Sequence, residues 1–267
     1  MNTHQLLLFA SAVVMARCTY AAGEQSSGDF VATRPGWEVG IQISDYRYEE
    51  PDVGVKIWGP RVGLTAAYTK AETDNWFVRV DGRVGYGSLE YEGSGTQDSV
   101  PDLVFEARGY FGKDFFPLRG VSLSPYAGLG FRYLYNDLRG PTSTGKVGYR
   151  RYSKYFYVPL GLSSRFNVSG KWSVLPTIEY DYFIIGRQES QLTDTGIPGL
   201  LDANNEQRKG YGYRLSVMVE KEAWAFGPWL HFWSIDDSDI VPVGIGLAGL
   251  EPQNETREYG IELKYRF

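Results

Sequence analysis

Apolar residues recur at every second position, in repeated blocks, through most of the chain, and this pattern limits its fold more than any other feature. A period of two sends successive side chains to opposite faces of a pleated strand, whereas a helix needs a period near 3.6. In the last block Tyr259, Ile261, Leu263, Tyr265 and Phe267 form one face, and Glu258, Gly260, Glu262, Lys264 and Arg266 the other. Nine earlier blocks read the same way. Trp37, Val39, Ile41 and Ile43 oppose Glu38, Gly40, Gln42 and Ser44, and Val62, Leu64, Ala66 and Tyr68 oppose Arg61, Gly63, Thr65 and Ala67. Trp76, Val78, Val80, Val84 and Tyr86 oppose Phe77, Arg79, Asp81, Arg83 and Gly85, while Leu103, Phe105, Ala107 and Phe111 oppose Glu106, Arg108 and Tyr110. The fifth block sets Leu123, Ala127, Leu129, Phe131 and Tyr133 against Ser124, Tyr126, Gly128, Gly130 and Arg132. The sixth sets Phe156, Val158, Leu160, Leu162 and Phe166 against Tyr155, Tyr157, Gly161, Ser163 and Arg165. The seventh has Val174, Ile178, Tyr180 and Tyr182 against Thr177, Glu179 and Asp181. The eighth and ninth pit Tyr211, Tyr213, Leu215, Val217 and Val219 against Arg214, Ser216 and Glu220, and Phe226, Leu230 and Phe232 against Trp229 and His231.

Composition agrees with strands. The 267 residues hold 20 Tyr, 14 Phe, 7 Trp and 32 Gly, a mixture of strand and turn formers. A mean hydropathy of -0.31, with no run of 18 apolar residues beyond the first two dozen positions, excludes a polytopic helical membrane protein. It leaves strands untouched, because a strand with one face to lipid carries polar residues on the other. With 27 basic and 32 acidic residues the chain offers no basic face to a nucleic acid. Residues 1–22 read as a cleaved signal peptide, with an apolar stretch from Leu6 to Ala16 and small residues near Ala21 and Ala22. Residues 23–35 follow as a short N-terminal segment, and residues 36–267 carry the alternating blocks. Cleavage would discard Cys18 and leave no cysteine for disulfide or thiol chemistry.

A terminal block of alternating apolar residues closing on Phe267 resembles the recognition signature of bacterial outer-membrane β-barrel proteins. Ten strands fit the even number that such single chains require. The connections near Asp45 to Lys56, Ser88 to Pro101, Asn136 to Gly148, Gly186 to Lys209 and Ser234 to Asn254 are long. Those near Lys70 to Asn75, Gly112 to Gly120, Asn167 to Lys171 and Lys221 to Ala225 are short. Long outer loops and short periplasmic turns place both termini in the periplasm. Aromatic residues gather in two girdles, with Trp37, Trp76, Phe115, Phe116, Trp172, Trp224 and Phe267 at one end and Tyr46, Trp58, Tyr86, Tyr133, Tyr135, Tyr180 and Tyr213 at the other. Pro125, Pro176 and Pro228 fall near strand starts, while Pro159, inside the sixth strand, marks a bulge. The expected fold is thus all-β, a ten-stranded antiparallel transmembrane β-barrel. The resemblance implies a monomer in the cell outer membrane, surrounded by lipid and lipopolysaccharide, and assembly machinery engaging Tyr259, Ile261, Leu263, Tyr265 and Phe267.

With the apolar face on lipid, the lumen receives Glu38, Arg61, Arg79, Asp81, Arg83, Glu106, Arg108, Arg132, Arg165, Glu179, Asp181, Arg214, Glu220, His231, Glu262, Lys264 and Arg266. Ten strands enclose a narrow interior. Buried charges without partners cost several kcal/mol, so these groups are expected to form cross-strand ion pairs that fill the lumen. The matching function is a structural or surface-interaction protein; an arginine-lined pore for a modest solute is the alternative. Ten strands with large outer loops also resemble the omptin proteases, whose chemistry uses an Asp-His couple and a second Asp pair at the outer rim. Gly186 to Ser190, at the corresponding rim, has no histidine. His231 sits mid-strand facing inward, with Asp236, Asp237 and Asp239 beyond it, and no accessible Ser-His pair suggests a lipid A-modifying enzyme. No catalytic residues, cofactor or metal are expected, because the Asp236–Asp239 run lacks the Gly and distal Glu of a calcium loop. Ile240 to Leu250 is an apolar outer loop with three placements open to it: the barrel mouth, the outer leaflet, or a ligand-contacting hairpin.

Overall fold

The structure is a computed structural model that describes residues 31–267 apart from Thr73. The signal segment expected over residues 1–22 lies outside the described residues, as do residues 23–30. The strands are β1 (Gly36–Glu50), β2 (Val55–Ala71), β3 (Trp76–Glu92), β4 (Thr96–Lys113), β5 (Phe115–Leu118), β6 (Val121–Pro141) and β7 (Val147–Ser169). They continue with β8 (Trp172–Ser190), β9 (Ala203–Gln207), β10 (Gly210–Lys221), β11 (Trp224–Ile235), β12 (Ile240–Gly244), β13 (Leu247–Leu250) and β14 (Asn254–Arg266). Ten of them form a ring in the order β1-β2-β3-β4-β6-β7-β8-β10-β11-β14. Antiparallel pairing of β1 with β14 and of β8 with β10 leaves no open edge in it. The short β5 pairs with the start of β6, β9 with the end of β8, and β12 with β13.

Register turns the alternation of each strand into a surface. Ile41 lies beside Leu64 on one side and Leu263 on the other, so apolar residues stand in rows around the outside. Ile43 and Ile261 are each 65% exposed, an arrangement that only an apolar surround favours. On β1 the belt runs from Trp37 to Ile43, about 20 Å along the strand at ~3.3 Å per residue, close to the height of a lipid-facing band. Beyond it the outward residues turn polar: Asp45, Arg47 and Glu49 on β1, Glu90 and Glu92 on β3, Asp137 and Arg139 on β6, Glu255 and Arg257 on β14.

Several boundaries differ from the sequence reading. The strands run well past the belt: β1 reaches Glu50 and meets β2 after a four-residue turn, and the long polar stretch from Gln188 to Arg208 contains the end of β8, a single 3-10 turn (Leu192–Thr195) and β9. The outer connections are therefore mostly paired sheet. Tyr46 is no girdle residue; in phase with Glu38 it points inward and is 1% exposed. Pro159 carries no bulge. The β6–β7 register passes from Ala127↔Leu160 to Gly130↔Tyr157 without a shift, while the extra residue falls on β8, where Ile184 is inserted opposite Phe156 and Tyr157. The apolar stretch from Ile240 forms the β12–β13 hairpin at the loop end, with Val243 buried and Ile245 fully exposed.

Candidate functional site: the lumen

Alternation along ten strands delivers one row of polar side chains per strand into a shared interior. At the end bearing the short turns, Arg79 Nη2 lies 2.5 Å from Glu38, and Arg266 pairs with the same carboxylate. Arg165 pairs with Glu220, and Lys264 with Glu262 at 2.8 Å. One level deeper Arg108 spans Asp81 and Glu179, both at 2.8 Å, while Tyr110 and Tyr126 donate their hydroxyls to these two carboxylates. Mid-barrel, Arg214 donates to Asp181 at 2.7 Å and to Glu106 at 2.9 Å, and Arg83 bridges Glu106 and Glu258 at 3.0 and 2.9 Å. Arg61 donates to Asp102 at 2.5 Å and stands 3.3 Å over the Tyr46 ring.

Two residues expected in this network stand apart from it. Arg132 has no carboxylate within salt-bridge distance among the described residues. It stacks on Trp233 at 5.4 Å and reaches only Thr256 Oγ1, at 3.5 Å. His231 packs against Trp229 with ring centroids 4.5 Å apart and planes tilted by 45°, and its Nδ1 has no hydrogen-bond partner among the described residues. Conversely, Asp102, Glu258 and Tyr157 are central to the network and absent from the expected set. Asp102 and Glu258 lie in phase with Glu106 and Glu262, four residues away in each case, which was the available signal.

Interleaved with the loop-end half of the network, and beyond it, apolar and aromatic side chains pack the lumen. Val104, Leu134, Tyr155, Tyr157, Phe183, Trp233 and Ile235 form one buried cluster; Tyr46, Tyr48, Ile57, Leu89, Val100 and Leu138 form another. Their strands cover most of the ring. Glycines make the room: a Cβ on Gly130 would sit 2.2 Å from the Tyr157 ring, and one on Gly161 would sit 2.1 Å from that of Tyr126. Below lies a polar chamber of about 250 Å³ that runs to the turn-end mouth, and no residue of either apolar cluster lines it. Thr33 and Arg34 cross that mouth. Thr33 donates its backbone N–H and hydroxyl to Asp114 at 2.6 and 2.8 Å, and Arg34 donates to the Glu222 carbonyl at 2.9 Å.

Outside the belt, at the loop end, Arg151 Nη2 donates to Glu50 at 2.9 Å and also to Glu251, and the Tyr48 hydroxyl donates to Glu50 at 2.5 Å. Two carboxylates thus crowd one guanidinium in a buried site. Burial foremost, with Glu50 beside it, pushes the Glu251 carboxyl up to about 7 despite Arg151. The backbone of Glu251 in turn exchanges hydrogen bonds with Ser238, fastening the chain on either side of the β12–β13 hairpin.

Nothing brings His231 to the rim aspartates. It sits in β11 level with Arg214 and Glu258, four residues before the strand ends at Ile235, about 13 Å along the strand. Asp237 and Asp239 instead accept backbone N–H groups from Gln253 and Glu206, both at 2.6 Å, and hold loops. Among the described residues no group of three or more His, Cys, Asp or Glu is placed to hold a metal ion. On the outside of β14, Tyr259, Ile261, Leu263, Tyr265 and Phe267 form a continuous exposed stripe.

A closed antiparallel ring with an apolar belt outside and a polar interior is a transmembrane β-barrel. The outer membrane protein beta-barrel domain family matches residues 6–219, and the chain belongs to that family, placing it in the outer membrane. Among solved structures it is similar to the outer membrane protease OmpT from Escherichia coli, with a TM-score of 0.56 at 10% identity over 91% of this chain and 100% of that one. The β domain of the Bordetella autotransporter BrkA gives 0.42 at 12% identity, over 88% of this chain and 100% of that one. Ail, the attachment invasion locus protein of Yersinia pestis, gives 0.33 at 11% identity, over 87% and 100%. These likenesses concern fold alone. A search of curated proteins finds no match.

Proposed function

We propose that this protein is a non-conducting, non-enzymatic barrel that works through its loop-end surface, as a structural or surface-interaction protein. The observation that carries this reading is the pair of apolar clusters, which pack the lumen where a pore would need water. Strands that continue past the belt with charged outer faces raise that surface clear of the lipid. The turn end, with its short hairpins and both ends of the described chain, faces the periplasm. In this reading the wall contacts outer-membrane lipid and lipopolysaccharide, the β14 stripe is the handle for assembly machinery, and a ring without edges suits a monomer.

Planar-bilayer recording of folded protein tests it. Electrical silence is expected; stable ion-selective steps, reduced by neutralising Arg79 or Arg132, would instead establish the arginine-lined pore. A peptide panel that remains uncut separates the reading from an omptin-like protease.

A further inference from the structure

The stretch from Ile240 to Leu250 carries no charge, no aromatic ring and no side-chain hydrogen-bonding group. The β12–β13 hairpin nevertheless leaves Ile240, Ile245, Leu247 and Leu250 exposed at the loop end. Ile245 stands fully exposed at the tip, where a Cβ added to the next residue, Gly246, would meet nothing within 4 Å. Beside the hairpin, Ile197 and Leu201 are also exposed, on the segment joining β8 to β9, and the Leu201 N–H donates to the Val243 carbonyl at 2.8 Å. An exposed apolar patch of this kind, on the side away from the belt, marks an interaction site.

Backbone chemistry narrows what can cover it. Strands β12 and β13 pair with each other, and Pro242 has no N–H to offer. The Val243 carbonyl is taken by Leu201, and the Gly249 carbonyl accepts from Asn205 Nδ2 at 3.2 Å. Edges blunted in this way resist strand addition by a peptide, while a backbone supplied with partners is what an apolar solvent requires. A protein interface is rich in aromatic, arginine and hydrogen-bonding side chains, all missing from the hairpin, whereas lipid asks for none of them. Asp236, Asp237 and Asp239 at its foot outweigh Lys209, because Arg208 is paired with Glu206 at 2.5 Å, and this excess disfavours anionic headgroups. The hydrocarbon of the protein's own leaflet lies below the hairpin. Outward positions of β8 turn polar after Ile185, and Leu201 lies beyond the Ser190↔Ala203 pair, ~17 Å further along the strand.

We propose that the β12–β13 hairpin, with Ile197 and Leu201, is a wedge that inserts into an apposed lipid surface of uncharged headgroup, the bilayer of a second membrane. The proposal rests on the surface-interaction reading and names its partner. Conductance would overturn the closed lumen without touching the wedge, and a silent barrel that ignores vesicles loses the lipid partner alone. The test uses the full chain in nanodiscs, with Cys18→Ser so that Ile245→Cys carries the only thiol, labelled with an environment-sensitive fluorophore. Protein-free phosphatidylcholine vesicles are then added. A saturable blue shift that appears only with the vesicles is expected, weaker with phosphatidylglycerol. In unlabelled protein, Ile245→Ser should weaken co-flotation with phosphatidylcholine vesicles about tenfold, the effect of removing one buried aliphatic side chain. A heat-dependent gel shift verifies that this variant is folded. A blue shift already present without vesicles would place the tip in its own leaflet, and one produced by unlabelled nanodisc-held copies instead of vesicles would assign it to a second copy. Either result, a preference for phosphatidylglycerol, or no shift with any vesicle overturns the proposal.

Discussion

Arg214 shows what a lumen arginine does. Its planar fork touches Asp181, Glu106 and the Tyr157 hydroxyl, spanning β8, β4 and β7 from β10. A buried network of this kind adds little stability over an apolar filling, but removing one member leaves the others charged and unpaired. Arg214→Met should therefore cost about 3–5 kcal/mol, read as a lower temperature for conversion between folded and unfolded bands on a gel. Arg214→Lys should recover only part of that loss, since one ammonium cannot reproduce the fork. Which residues face the lumen was legible from the period of two; which residues pair was not. Partners depend on the stagger between strands, and that is why Arg132, on the right face, rests against Trp233 and Thr256 without a carboxylate.

At the scale of elements, the sequence shows strands clearly only where one face is apolar. Past Ile43 the outward positions of β1 become Asp45, Arg47 and Glu49 while the apolar positions, Tyr46 and Tyr48, move to the inward face, so the alternation changes phase although the ladder with β2 continues to Glu50. The rim for this reason reads as loop from sequence alone, which hides the cluster of Arg151, Glu50 and Glu251. That cluster governs the segment carrying β12 and β13. A neutral Glu251 fits beside Glu50 on one guanidinium, whereas an ionised one repels it. Because the folded pKa, about 7, lies above the ordinary 4.5, anchoring is complete below 4.5 and is lost as the pH rises through 7. Hydrogen exchange of residues 236–253 should thus quicken, beyond its intrinsic pH dependence, between pH 5 and 8. Glu251→Gln should abolish that excess. Glu50→Gln should also suppress it, by leaving Arg151 to a single carboxylate.

For the molecule as a whole, belt and filling divide the work. The wall satisfies every constraint of an apolar solvent with an outer stripe on each strand, and the interior is free to hold charge. The two fillings are separable. A chain starting at Gly36, lacking the Thr33–Arg34 crossing, should have a wider turn-end mouth yet remain electrically silent in a bilayer, because the apolar clusters persist. Conductance in that variant would show that the crossing, rather than the clusters, seals the barrel.

The crossing also carries information about time. Thr33 reaches Asp114 beyond β4, Arg34 reaches the turn between β10 and β11, and the Arg34 carbonyl accepts from Arg266 at the chain's far end. Those three places become neighbours only after the first and last strands have met. Thr33 and Arg34 therefore hold contacts that only the closed ring offers them together, and their docking marks a completed ring.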